Sequence, residues 1–411
     1  MEGRLAWTGE PDFWVGQIKQ IMMSNIDVVY LHCINSFEQQ RINFFRAYNQ
    51  LRREGWEVPK VAPFLDTFYL WREKQIDVGA RKGKDEYVRH YIRFYEQYFS
   101  ENNDHLAHSH LFQMDGKLVL SSWWVYSMLW NIEDLSRKDV QRRLVNALGS
   151  RICSLRNGIY MISAALVDPD YTFSDERMIM FSGYCYTMHC VHKEIYVWHV
   201  QPGYWDQNIR RPGFILPRNG GKQYRDAWEL VPSSLPFPYR VYVESWNEYD
   251  EGSGIYAGDP GPPLVDPTMH SNTDVFSIDN DPFEYINTTA RGAARINGCP
   301  ENDAVILGVE VPLSAEAGSE VDIQVVVRNE GNARWSGAAG YGLRVGNDRI
   351  ISIDDHDHEI PLYGGIFRGR PVTFTAKLPV GDLHGVFSAE ICMAKDGVPF
   401  GERVPFKVDV L

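Results

Sequence analysis

Ile26 to Cys33 reads Ile-Asp-Val-Val-Tyr-Leu-His-Cys. Such a nearly continuous apolar run is what a strand buried in a parallel sheet requires. On its N-terminal side, Asp12 to Ser24 places Phe13, Ile18, Ile21 and Met22 at helical spacing. On its C-terminal side, Phe37 to Glu54 reads as an amphipathic helix, with Gly55 as a C′ glycine. The same unit then recurs. Pro59 to Leu65 is a strand followed by Asp66, and Asp85 to Ser100 is a helix with Tyr87, Tyr91, Phe94, Tyr95 and Tyr98 on one side. Lys117 to Trp123 is a strand entered from an Asp115-Gly116 turn, and Val140 to Leu148 is a helix closed by Gly149. Further strands fall at Ile159 to Leu166, Ile179 to Tyr184, Ile195 to Val200 and Tyr239 to Trp246. Helices fall at Lys222 to Leu230 and Asp281 to Ile296, the latter with Asn280 as N-cap and Pro282 in its first turn.

Strand–helix alternation of this length predicts a parallel sheet closed as a TIM-type (β/α)8 barrel. About seven strands lead up to Trp246, where a barrel has eight. The first helix stands where the helix after a first strand would stand. Either Met1 is an internal start and the first strand is missing, or the barrel closes differently. A Trp246 strand lying at a sheet edge, or antiparallel, would exclude the barrel.

Pro263 to Ser277 is a long Pro-, Asp- and Ser-rich loop after the Trp246 strand, on the face where barrel enzymes carry active sites. Gly298-Cys299-Pro300 marks a boundary between residues 1–298 and 299–411. Beyond it the apolar period becomes two. Val305 to Val311, Glu320 to Asn329, Tyr341 to Val345, Pro371 to Lys377, Gly385 to Met393 and Arg403 to Val410 read as strands, with turns at Asn329 to Asn332 and at Asp396-Gly397. They predict an antiparallel β-sandwich.

Of the 411 residues, 44% are hydrophobic and 23% charged, which excludes a largely disordered chain. The formal net charge of -13 argues against broad nucleic-acid or anionic-membrane binding and fits a neutral or cationic ligand. Aromatic residues reach 13%, and sugar-binding clefts use such rings to stack on pyranose faces. The six cysteines include no C-x-x-C pair, which leaves a zinc ribbon or thioredoxin-type site unsupported. No apolar run is long enough for a membrane span. Met1 to Glu10 lacks a signal pattern, so the expected location is cytoplasmic, or secreted or periplasmic if the N-terminus is truncated.

The sharpest chemical feature is Ser245-Trp246-Asn247-Glu248-Tyr249-Asp250-Glu251-Gly252-Ser253, at the carboxyl end of a predicted barrel strand. In a helical turn, Glu248 and Glu251 would share a face with Cβ atoms ~5–6 Å apart. Two carboxyls at that range shift one pKa upward, giving the acid and base that cleave a glycosidic bond. Asn247 would read a hydroxyl, and Trp246 and Tyr249 would offer rings. The plain alternative is a solvated acidic turn with Asn247 capping a helix.

The segment resembles the S-W-N-E-W-x-E-G-[ST] motif of the glycoside hydrolase family 99 / family 71-like barrels, which include endo-α-mannosidases. Val61 to Phe68, His199 to Tyr204 and Asn219 to Trp228 support the resemblance, which covers roughly Asp12 to Gly298. It implies retention at the anomeric carbon, while the substrate does not transfer with it; the leading expectation is a retaining glycoside hydrolase of an α-linked poly- or oligosaccharide, a mannan-like one among the possibilities, with no cofactor. It also implies Glu248 as the base that deprotonates the substrate 2-hydroxyl to form a 1,2-anhydro sugar, and Glu251 as general acid/base. Tyr249 stands where the motif has Trp. The rival expectation is a non-catalytic glycan-binding or polysaccharide-assembly protein on the same barrel; a third is a protein-interaction scaffold using the C-terminal region.

Weaker candidates follow strands. Asp66 would bind a hydroxyl or cap a helix. Asn35 and His32 end the first strand, where a lone His is more often a core group. Trp123 and Trp124 point to opposite faces, so at most one lines a site. His199 and Tyr204 flank Gly203 in a further loop. Asp354 to Glu359 has metal-ligand residue types, but a solvated loop is the simpler reading. In the C-terminal region, Arg328 to Trp335 and Phe387 to Phe406 resemble the Ig-like module of selective-autophagy receptors, also carried by bacterial enzymes, which implies that Trp335 is a core residue.

Overall fold

The computed structural model describes residues 8–68, 75–123, 125–164, 174–178, 187–192, 195–206, 209–210, 212–231, 240–258, 276–298, 300–347 and 358–411. It divides into two compact units, Met1–Asn49 with Pro59–Ile296, and Gln50–Val58 with Asn297–Leu411.

The first unit is mixed α/β. Helix α1 (Pro11–Met23) leads into β1 (Val28–His32), α2 (Glu38–Arg53), β2 (Lys60–Asp66), α3 (Arg81–Glu101), β3 (Lys117–Trp123), α4 (Arg137–Leu148), β4 (Ile159–Ala164) and β5 (Glu176–Met178). Strands β1 to β5 pair in sequence order, all parallel. Helix α2 ends as its sequence requires: Gly55 has φ +84°, and Trp56 N–H reaches back to Leu51 O at 3.0 Å.

A second sheet holds β6 (Thr187–His192), β7 (Ile195–Val200) and, after α5 (Lys222–Leu230), β8 (Arg240–Val243). Strands β6 and β7 form an antiparallel hairpin, and β8 runs parallel to β7. Helix α6 (Glu284–Asn297) closes the unit.

Three expectations need correction. First, no closed barrel forms among the described residues: β8 is the edge of a three-stranded sheet. It meets β1 through side chains, with the Tyr30 and Tyr242 hydroxyls 3.1 Å apart and ring centroids at 5.5 Å. Second, the hairpin strand β6 was not expected. Third, Asn280 has φ +54° and does not cap α6; the Asp281 carboxylate accepts the Phe283 N–H at 2.9 Å instead. The expected strand at Ile179 to Tyr184, Trp124, most of the Pro263 to Ser277 loop and Asp354 to Asp357 lie outside the described residues.

Side chains from four strands meet in one apolar cluster: Val119, Tyr160 and Ile162, with Tyr30, Trp123 and Tyr242 against them. A second cluster joins Val200, Tyr224, Trp228, Ile255 and Tyr285, with Trp246 packed on it.

The second unit is β-rich. Strands β9 (Ala304–Glu310), β10 (Ser314–Ala315), β11 (Glu320–Asn329), β12 (Tyr341–Asn347), β13 (His358–Pro361), β14 (Pro371–Pro379), β15 (Gly385–Lys395) and β16 (Val398–Val410) form sheets ordered β9-β11-β14 and β10-β16-β15-β12-β13. Alternate residues Val321, Ile323, Val325 and Val327 of β11 enter a core shared with Leu343, Val345 and Ile391 of the other sheet. Trp335 is fully buried there.

Candidate active site

The chain leaves β8 through a cis Glu244–Ser245 peptide into a folded loop. Ser245 N–H donates to Ser253 O at 3.0 Å, and Ile255 N–H to Ser245 O at 3.0 Å. Ser245 Oγ accepts the Glu248 N–H at 2.9 Å. These bonds close a compact turn, not the helical turn that the spacing alone predicts, and Asn247 caps no helix. Arg218 holds the loop from outside. Its Nη2 donates to Gly252 O at 2.9 Å and Gly254 O at 2.7 Å. Its guanidinium lies 4.4 Å from the Tyr285 ring centroid, a placement that stabilises a buried cation.

The two carboxyls have different surroundings. Glu248 is half-buried. Burial first, and the Glu251 charge second, push its carboxyl up to about 7. Glu251 is ion-paired with Arg210, Oε1 to Nη1, at 2.8 Å. The same Nη1 donates to Asp206 Oδ2 at 2.6 Å and to the Tyr204 hydroxyl at 2.8 Å. Asp206 is fully buried, and its other oxygen accepts the Phe214 N–H at 2.6 Å. For Arg210, burial works against the charge, but the bonds to Asp206 and Glu251 outweigh it and raise the pKa. Burial, then the Glu251 charge, raise the Tyr204 phenol as well.

Asn247, Glu248, Tyr249 and Glu251 lie on this loop, and Tyr204 is linked to it through Arg210. Tyr249 is 43% exposed, with its ring 4.6 Å from that of Tyr256. Trp246 is differently engaged: its indole N–H donates to Gln17 of α1 at 2.9 Å, and its ring packs on the apolar cluster. His199 is buried, its Nε2 2.7 Å from Glu244 Oε2. The remaining candidates have other duties. Asp66 accepts the Phe68 N–H at 2.9 Å, as an N-cap does. Asn35 accepts from Arg93 of α3 at 3.1 Å. Trp123 packs in the four-strand cluster. Burial, then Arg41, hold His32 down at about 4, so its imidazole is a neutral core group.

Sequence reasoning missed Arg210, Asp206 and Arg218. The available signal was the i, i+4 spacing of Asp206 and Arg210 beside Tyr204. Among the described residues no His, Cys, Asp and Glu group could hold a metal ion. A groove of 460 Å³ lined by residues including Glu96, Phe99, His108 and Arg151 contains none of the carboxyl-pair residues.

No family model matches the chain, and no curated protein matches it. A solved structure described as a "glycoside hydrolase-like protein" is a distant structural match at 14% identity and TM-score 0.44, covering 69% of this chain and 86% of that one. The CARDB domain of PF1109 from Pyrococcus furiosus matches at 11% identity and TM-score 0.21, covering 27% of this chain and 97% of that one. Red sea bream transglutaminase matches at 15% identity and TM-score 0.21, covering 26% of this chain; the match spans 15% of the transglutaminase. No helix among the described residues is long and apolar enough to cross a membrane.

Proposed function

We propose that the chain is a retaining glycoside hydrolase of an α-linked oligo- or polysaccharide, a mannan-like one among the candidates, acting through Glu248 and Glu251. In this reading the mixed α/β first unit carries the site and the second unit is an Ig-like accessory sandwich. The observation that carries the reading is the unequal pair: one carboxyl lifted to about 7, the other paired with Arg210, three residues apart on one loop. Glycosidic cleavage needs such an inequality, since one group donates a proton while the other accepts one. The Tyr249–Tyr256 rings offer an apolar surface for a pyranose face.

The test is a panel of α-linked oligosaccharides with product anomers followed by NMR. Glu248→Gln and Glu251→Gln should each lose ~10²–10⁴-fold in turnover while ligand affinity changes far less. Full activity in either variant removes that residue from the mechanism. A wild type that binds glycans and turns over none transfers the reading to a glycan-binding protein.

A further inference from the structure

We propose that Gln17 and Gln20 of α1 are positioning residues for the loop that carries the carboxyl pair: Gln17 holds Trp246 at its entrance and Gln20 holds Ala257 at its exit. The bracing stands on geometry alone; its consequence for turnover rests on the hydrolase reading.

Among the described residues β8 pairs with β7 on one side and is the sheet edge on the other. The ladder therefore steadies the start of the loop from one side only. Helix α1 supplies a second hold. Gln17 and Gln20 are three apart, which puts them on one face of the helix. Gln17 Oε1 accepts the Trp246 indole N–H at 2.9 Å, and Gln20 Oε1 accepts the Ala257 N–H at 3.3 Å. Trp246 is where the two arms of the loop cross: its carbonyl accepts the Ile255 N–H at 3.1 Å and the Tyr256 N–H at 3.2 Å. Two residues on, the Glu248 N–H is tied back to Ser245 Oγ at 2.9 Å. Fixing Trp246 thus fixes both arms and the backbone that bears Glu248.

A brace works only if its own base is fixed, and α1 is anchored away from the loop. Its buried Trp14 meets Phe44 of α2 edge-on, with ring centroids 5.4 Å apart. Asn43 of α2 donates to Gly9 O at 2.8 Å, just before α1 begins. Asn25, just after α1 ends, donates to Ala290 O of α6 at 3.2 Å. Between these ties Ile18, Ile21 and Met22 are buried. A helix held at both ends keeps its two carboxamides in place, and the loop bonded to them is kept with it. Catalysis is sensitive to such placement, since a shift of ~1 Å in a reacting group can cost ~10²-fold in rate.

The first measurement needs no substrate. Gln17→Leu removes the acceptor at similar volume, and Gln17→Glu keeps an acceptor oxygen. In proton–nitrogen NMR spectra of the whole chain, the Trp246 indole N–H should move upfield in Gln17→Leu and return in Gln17→Glu. The Glu248 and Ser253 amides should exchange ~5–10-fold faster in Gln17→Leu, as the loss of one hydrogen bond predicts, while those of α1 and α5 keep their rates. Gln20→Leu should do the same at Ala257. Trp246→Phe removes the donor of the same bond, so adding Gln17→Leu to it should change little more at Glu248. On an oligosaccharide that the wild type cleaves, Gln17→Leu should lower kcat by up to ~10²-fold with little change in KM, and Gln17→Glu should restore it. Loop amides that keep their rates in Gln17→Leu, or exchange that quickens equally in α1 and α5, overturn the bracing. An unchanged kcat beside a loosened loop overturns the positioning role. A wild type that turns over nothing sinks the hydrolase reading, and the exchange rates still decide the bracing.

Discussion

Replacing Glu248 with Gln should stabilise the protein at pH 8 and not at pH 4.5. Burial and Glu251 carry this carboxyl from the ordinary 4.5 to about 7 in the folded state. The folded chain therefore holds the proton more tightly than the unfolded chain. Below pH 4.5 both states are protonated and the preference is fully present. As pH rises towards 7 the unfolded state sheds its proton first, and the preference is lost through about pH 7. Each tenfold in proton affinity is 1.36 kcal/mol, so the cost above pH 7 is on the order of 3 kcal/mol, reduced by the solvent that reaches a half-buried group. Gln carries no charge and escapes this cost. At roughly 2–4 °C per kcal/mol for a unit of this size, the Tm gain of the variant should grow by about 5–10 °C between pH 4.5 and pH 8. Calorimetry of both proteins at pH 4.5, 6 and 8 measures it. A gap that stays constant with pH, or narrows, refutes the reasoning.

Other perturbations test the frame. A Cβ on Gly292 would lie 2.2 Å from the Trp228 ring, so Gly292→Ala should cost about 1–3 kcal/mol, read as a lower urea midpoint. Arg218→Met removes two donors to loop carbonyls and should cost about 2–3 kcal/mol, with faster amide exchange confined to residues 245–256. Trp335 is fully buried beside Tyr341 and Phe400. Trp335→Ala should cost about 3–5 kcal/mol, lowering the melting step of the C-terminal unit and leaving that of the first unit in place.

Much of the backbone was legible because burial writes itself into the sequence. Lys117–Trp123, Lys222–Leu230 and Glu320–Asn329 occupy the ranges that their periodicity predicts. The strand Thr187–His192 was not legible, since its partner is a hairpin neighbour and its composition carries two histidines. Barrel closure could not be read either, because the apolar run of a strand records its burial and not which strand it pairs with. At the site, the spacing of Glu248 and Glu251 was visible, but their inequality was not. It comes first from the burial of Glu248, and from the pairing of Glu251 with Arg210, 41 residues away in the chain. Local spacing records which residues are neighbours in the chain, and it is silent about cations supplied from elsewhere.

The C-terminal unit is not a single stretch of chain. Gln50–Val58 belongs to it: Glu57 N–H donates to Gly369 O at 3.0 Å, Arg328 pairs with Glu57 at 3.1 Å, and the Trp56 ring lies 5.9 Å from that of Phe367. A fragment beginning at residue 299 would therefore lack part of its own fold, and a recombination event that exchanged only the C-terminal third would leave Trp56 and Glu57 without their partners. The unit travels through evolution, or through a cloning vector, only in company with the end of α2.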